Sequence, residues 1–321
     1  MKCPKCQRNQ RRGRDGMVCK SCSYKFFFDP QKDKLTPSVS LHDNRFTAII
    51  NHASANDTYY FTPNQLFSSA RHFARESKIG CIIISLVILA AGAVGITAEI
   101  IVLLLFAILI GFVVFVAGII SFFRGSRPKR KTWDRFVKYW EDEVQPIPRL
   151  IQSPALSDPP PDWKEDDIYD YGVSGIILCD RKETVDWLVL NQLHTQTNTL
   201  ILTTKGYPDY LQKITKDLLE NQPDLNVYLL HGPETAAESL INHCFLPISN
   251  VTDLGVDQTT LSGLTVLRKR FKRKELKSLP LDTIPYRTLS AALTYCLANG
   301  VLLGSVLGAN AMDSDTDTSF G

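Results

Sequence analysis

From Ile79 to Phe123 the chain is almost wholly apolar, with Glu99 the only charged residue between Lys78 and Arg124. A helix needs about 20 apolar residues to cross a bilayer, and this run is about twice that length. Gly95 to Glu99 interrupts it, which predicts two spanning helices, Ile79–Val94 and Ile100–Phe123, joined by a short turn without basic residues. Arg71, Arg75 and Lys78 stand before the run, and Arg124, Arg127, Lys129, Arg130 and Lys131 follow it. Basic residues close to a membrane helix favour the cytoplasmic side. The expectation is a multi-pass membrane protein with a transmembrane hairpin over 79–123, the lipid bilayer as a partner and both termini cytoplasmic.

A length of 321 residues predicts two or three compact units, and the net charge of +3 is unevenly placed. The chain opens on MKCPKC rather than on a charged-then-apolar leader, so no secretory signal is expected before the hairpin. Four of the eight cysteines fall in the first 22 residues, as CPKC (Cys3, Cys6) and CKSC (Cys19, Cys22) separated by 12 residues. Two such knuckles can set four thiolates about 2.3 Å from a zinc ion. The expected topology puts them in a reducing compartment, which disfavours disulfides. A segment over 1–26 is too small to bury a useful core, so zinc would supply most of its folding energy. No ligand position is left open, so the zinc is expected to be structural. The ribbon is also basic, with Lys2, Lys5, Arg8, Arg11, Arg12, Arg14, Lys20 and Lys25 against Asp15, and could meet nucleic-acid phosphates or anionic lipid headgroups.

Residues 27–78 read as a small winged-helix-like unit, with a helix around Phe46–Ile50, a brief strand at Thr58–Pro63 and a helix opened by Thr62-Pro63. Residues 124–168 hold an amphipathic helix, with Trp133, Phe136, Val137 and Trp140 on one face, and then a proline-rich linker. The helix suits either a membrane interface or packing on a neighbouring domain. Over 169–250, apolar strands at Gly172–Cys179, Asn198–Thr204 and Leu225–His231 alternate with helical segments. That alternation predicts an α/β domain with a parallel sheet. Residues 251–310 carry the run LRKRFKRKELK, whose Arg268, Lys269, Arg270, Lys272, Arg273 and Lys274 are candidate polyanion-binding residues, followed by C-terminal helices. Residues 311–321 read as a disordered tail.

The segment ILTTKGYPD (Ile201–Asp209) resembles the second-strand motif of the toprim domain in topoisomerase VI A subunits. The preceding strand ends in CDRKETVDWL where that family has a strand ending in glutamate, and LNVYLLHGPE takes the place of the strand ending in an acidic pair. FTPNQLFSSARHFAR (Phe61–Arg75) is similar to the family's winged-helix segment, with Phe67-Ser68 where paired tyrosines stand. The resemblance implies a toprim-like fold. It also implies phosphoryl transfer through a tyrosine and magnesium-binding acids. The tyrosine is missing, and His231, Gly232 and Pro233 occupy the acidic-pair region; the remaining candidate carboxylates are Asp180, Glu183 and Glu234.

The expected function is therefore that of a membrane-anchored, non-catalytic zinc-ribbon protein with a degenerate toprim-like domain. It would bind nucleic acid, anionic lipid or a protein partner at the cytoplasmic membrane face. The alternative is a membrane-bound, magnesium-dependent phosphoryl-transfer enzyme of the toprim nuclease type, with a rearranged acidic site at Asp180, Glu183 and Glu234. Convergence of those three carboxylates on one point separates the two.

Overall fold

The computed structural model describes residues 1–37, 39–74, 127–158, 172–248 and 250–313. The hairpin expected over 79–123 lies outside the described residues. Among the described residues no helix is long and apolar enough to cross a membrane. That finding corrects the expected architecture. What the structure contains is an N-terminal cysteine cluster and a parallel sheet, and the membrane-anchored, multi-pass reading is not carried further. The chain divides into two compact units, Met1–Ala53 with Phe67–Ile147, and Ser54–Leu66 with Pro148–Gly321.

The first unit begins with two knuckles separated by the short helix α1 (Arg12–Asp15). An antiparallel pair follows, β1 (Lys34–Thr36) with β2 (Val39–Ser40), and then helix α2 (Asp43–Ala53). Helix α3 runs over 63–74, its residues from Phe67 onward counting with this unit, and α4 (Arg130–Glu143) completes it. Trp133, Phe136 and Trp140 sit at helical spacing on α4 and are all buried. Their rings meet Phe28 and Phe46. Phe46 lies 5.6 Å from Trp133 and 4.7 Å from Trp140, and Phe28 stacks on Trp140 at 5.7 Å. The apolar face of α4 is thus filled by aromatic packing rather than by a membrane interface.

The knuckles are tied into this core by one carboxylate. Asp43, fully buried at the start of α2, accepts the Tyr24 hydroxyl at 2.8 Å and the Phe27 and Phe28 amides at 3.0 and 2.9 Å. A buried carboxylate is costly unless such donors surround it. Arg12 adds an ion pair to Asp29 at 2.8 Å, which holds that carboxyl below its ordinary range.

In the second unit four parallel strands form one sheet in the order β4-β3-β5-β6: β3 (Gly175–Cys179), β4 (Thr199–Thr203), β5 (Asn226–Leu230) and β6 (Val251–Asp253). Every residue of β3 and β4 is buried, which explains their unbroken apolar sequences. Helices α5 (Lys182–Leu190), α6 (Leu193–Thr197), α7 (Gln212–Asn221) and α8 (Ala237–Asn242) connect the strands. After β6 come α9 (Gln258–Gly263), α10 (Thr265–Arg270), α11 (Tyr286–Asn299) and α12 (Leu303–Asp313). The small-residue stretch near the C-terminus is therefore a helix pair, turned at Gly300, where φ is 66°. The strand order reverses between β3 and β5, where open α/β sheets place their ligands.

Two polar networks hold this unit together. Thr62 and Gln65 form a reciprocal cap at the start of α3, with the Gln65 amide on the Thr62 hydroxyl at 3.3 Å and the Thr62 amide on Gln65 Oε1 at 3.1 Å. Asn64 and Gln65 then bond Asp282 and the Ile284 carbonyl. The second network centres on Tyr207, whose hydroxyl donates to buried Asp186 at 2.5 Å and accepts the Leu156 amide at 2.7 Å. Tyr207→Phe should leave a buried carboxylate oxygen and a buried amide unpaired. It should lower unfolding free energy by about 3 kcal/mol in urea titration. A change near zero would show that the hydroxyl is not needed to hold 155–156.

Candidate metal centre and the C-terminal edge of the sheet

The cysteine cluster is built by a near-exact repeat of backbone hydrogen bonds 16 residues apart. The Cys3 amide donates to the Arg8 carbonyl at 3.0 Å and the Cys19 amide to that of Tyr24 at 2.8 Å. The Gln7 amide donates to the Cys3 carbonyl at 2.9 Å, and that of Ser23 to Cys19 at 2.8 Å. Gln7 and Ser23 take φ of 60° and 57°, the left-handed turn that closes each knuckle back on its sulfurs. The sulfurs of Cys3, Cys6, Cys19 and Cys22 all lie within 4.8 Å of one another, with Cys3–Cys22 and Cys6–Cys19 at 3.6 Å. Amides of Ser21 and Cys22 lower the Cys19 thiol to about 7. The Tyr24 amide pulls Cys22 down too, but burial and the three neighbouring thiols outweigh it and push that group up to about 12. Four sulfurs this close cannot all be thiolates without a cation among them. The donor set fits a tetrahedral thiolate-bound metal ion such as zinc.

No second group of this kind occurs among the described residues. Asp180, Glu183 and Glu234 all belong to the C-terminal edge of the sheet, but they do not bring ligand atoms together as the cysteines do. Asp180 follows β3, and its Oδ2 accepts the Gly232 amide at 3.3 Å while Oδ1 is buried without a partner. Burial pushes its carboxyl upward. Glu183 pairs with Arg181 at 3.5 Å, and Glu234 is exposed after β5. Arg181 lies in the field of these acids and of Asp282. Partial burial favours loss of its proton, but the carboxylates of Asp282, Glu183, Asp180 and Glu234 more than compensate and hold its pKa above the ordinary value.

His231 has no role legible in its sequence neighbours, yet it joins two strand ends. Its Nδ1 lies 2.9 Å from the Gly232 carbonyl and its Nε2 3.1 Å from Asp253 Oδ1, linking β5 to β6. The Gly255 amide donates to the same Asp253 oxygen at 2.6 Å. A cleft of about 490 Å³ opens beside them, lined by His231, Thr235, Asp253, Asp257 and Lys277 among others. In the basic run, Arg268, Lys269, Lys272, Arg273, Lys274 and Lys277 are exposed, but Arg270 is 6% exposed and Phe271 is buried. Arg270 therefore leaves the set of candidate contact residues. Ser68, aligned with the tyrosine nucleophile of the topoisomerase family, is also buried.

Comparison with protein-family models, curated proteins and solved structures found no match.

A Cβ at Gly255 would lie 2.2 Å from His231 Nε2 and 2.8 Å from Asp253 Oδ1. Gly255→Ala should therefore expel the imidazole from Asp253 and cost about 1–3 kcal/mol. Nuclear magnetic resonance of the His231 ring would show it. An unchanged ring environment would mean that the β5–β6 link does not depend on this close approach.

Proposed function

We propose that the chain is a zinc-stabilised protein that binds nucleic acid and does not use the sheet edge for phosphoryl transfer. The observation that carries the binding reading is the exposure of Arg268, Lys269, Lys272, Arg273, Lys274 and Lys277 within ten residues. Such a density of solvated cations suits phosphate contacts whose strength falls steeply with salt. Zinc is the metal that best suits four convergent cysteine sulfurs, in a site whose ligands are all supplied by the chain. At the sheet edge, the chemistry available to Asp180, Glu183 and Glu234 is limited by Arg181. Its positive charge already acts on the same carboxylates that would otherwise attract magnesium.

The full chain should carry one zinc ion, and Cys19→Ser should lose it, as native mass spectrometry would read. Changing Arg268, Lys269, Lys272, Arg273 and Lys274 to glutamine should weaken binding to labelled DNA and flatten its salt dependence. Asp180→Asn and Glu234→Gln should leave binding unchanged. Magnesium-dependent DNA cleavage that vanishes in Asp180→Asn would overturn this reading.

A further inference from the structure

The two knuckles share one backbone but face different surroundings. In the second, Tyr24 bonds Asp43 at the edge of the aromatic core, and Phe26, 3% exposed, packs on Cys3 and Cys19. Sixteen residues earlier, their equivalents are Arg8 and Gln10. The apolar docking face of one knuckle is thus a cationic face on the other. Lys2, Lys5, Arg8 and Arg11 are exposed there, and none has a carboxylate partner among the described residues.

The acids nearby are already committed. Asp15 accepts the Arg11 amide at 2.8 Å and pairs with Arg14 at 3.1 Å and Lys20 at 3.0 Å; these bonds hold its carboxyl far below the ordinary range. Asp29 is held by Arg12. Among the described residues the Arg8 guanidinium bonds a neutral partner, the Ser21 hydroxyl, at 3.0 Å. We propose that the first knuckle is a second nucleic-acid contact, seated on the phosphodiester backbone through Lys2, Lys5, Arg8 and Arg11. This rests on the nucleic-acid reading above and adds a separate surface to it. The four named contacts are all cations, so the face should grip phosphates without reading sequence.

The test uses the full, metal-loaded chain and a labelled DNA duplex, measuring the slope of log K against log salt. Each phosphate neutralised contributes about 0.9 to that slope. Lys5→Gln/Arg8→Gln/Arg11→Gln should therefore lower its magnitude by about 2 to 3, with zinc content unchanged. Lys5→Gln and Arg11→Gln alone, which remove no side-chain bond, should each lower it by about 1. A wild-type slope in the knuckle variants, with the slope reduced in the Arg268–Lys274 variant, would overturn this inference and leave the broader reading intact. Wild-type protein that binds phosphatidylserine vesicles but not the duplex would overturn both.

Discussion

Fewer than 30 residues cannot bury enough apolar surface to offset the entropy of ordering them, and the N-terminal segment meets that constraint with sulfur. Its buried cluster consists of Cys3, Cys19 and Phe26, with Met1, Cys6, Met17, Cys22 and Tyr24 partly buried around it. A metal ion held by the four thiolates would convert this cluster into a rigid hub. Rigidity then passes outward along the backbone. Tyr24, Phe27 and Phe28 converge on Asp43, and Phe28 enters the ring cluster of Phe46, Phe136 and Trp140. The aromatic core of the first unit is consequently built on the same segment that carries the four cysteines.

The second unit answers a different problem. A parallel sheet gathers the ends of its strands at one edge, and here that edge is filled by internal partners. Arg181 pairs with Glu183 and offsets the charge of the neighbouring acids, His231 links β5 to Asp253, and Tyr207 bonds Asp186 and the Leu156 amide. The GYP residues that carry the resemblance to topoisomerase VI A subunits are therefore used for packing in this chain. Gly206 turns at a φ of 85° where a Cβ would meet Gln212 at 2.8 Å. Only Asp180 Oδ1 is left there as a buried carboxylate oxygen without a partner among the described residues.

The features readable from sequence were those set by local spacing. The CPKC and CKSC knuckles, the strand–helix alternation over 169–250 and the Thr62-Pro63 helix start all depend on neighbours within a few residues. Features set by distant partners were not readable. Strand β6 has three residues and only one apolar side chain, so nothing in VTD marks it apart from a turn. The face of α4 carries two tryptophans that suit a bilayer interface as well as a core; Phe28 and Phe46, far upstream in the chain, decide the matter. Arg270 reads like its neighbours in a basic run until the helix turn of α10 points it inward. The role of Arg181 needed Asp282, a hundred residues away, to be seen. The membrane hairpin rested on hydropathy alone, and the described helices offer no span to support it.

The central claim is that four cysteines of this chain bind one metal ion as a closed set, and that the ion is zinc. X-ray absorption at the zinc edge of the purified full chain tests it most directly. The account predicts a single shell of four sulfur scatterers at about 2.3 Å. A shell containing nitrogen or oxygen, or protein that purifies without zinc while keeping the fold of residues 1–28, would contradict it.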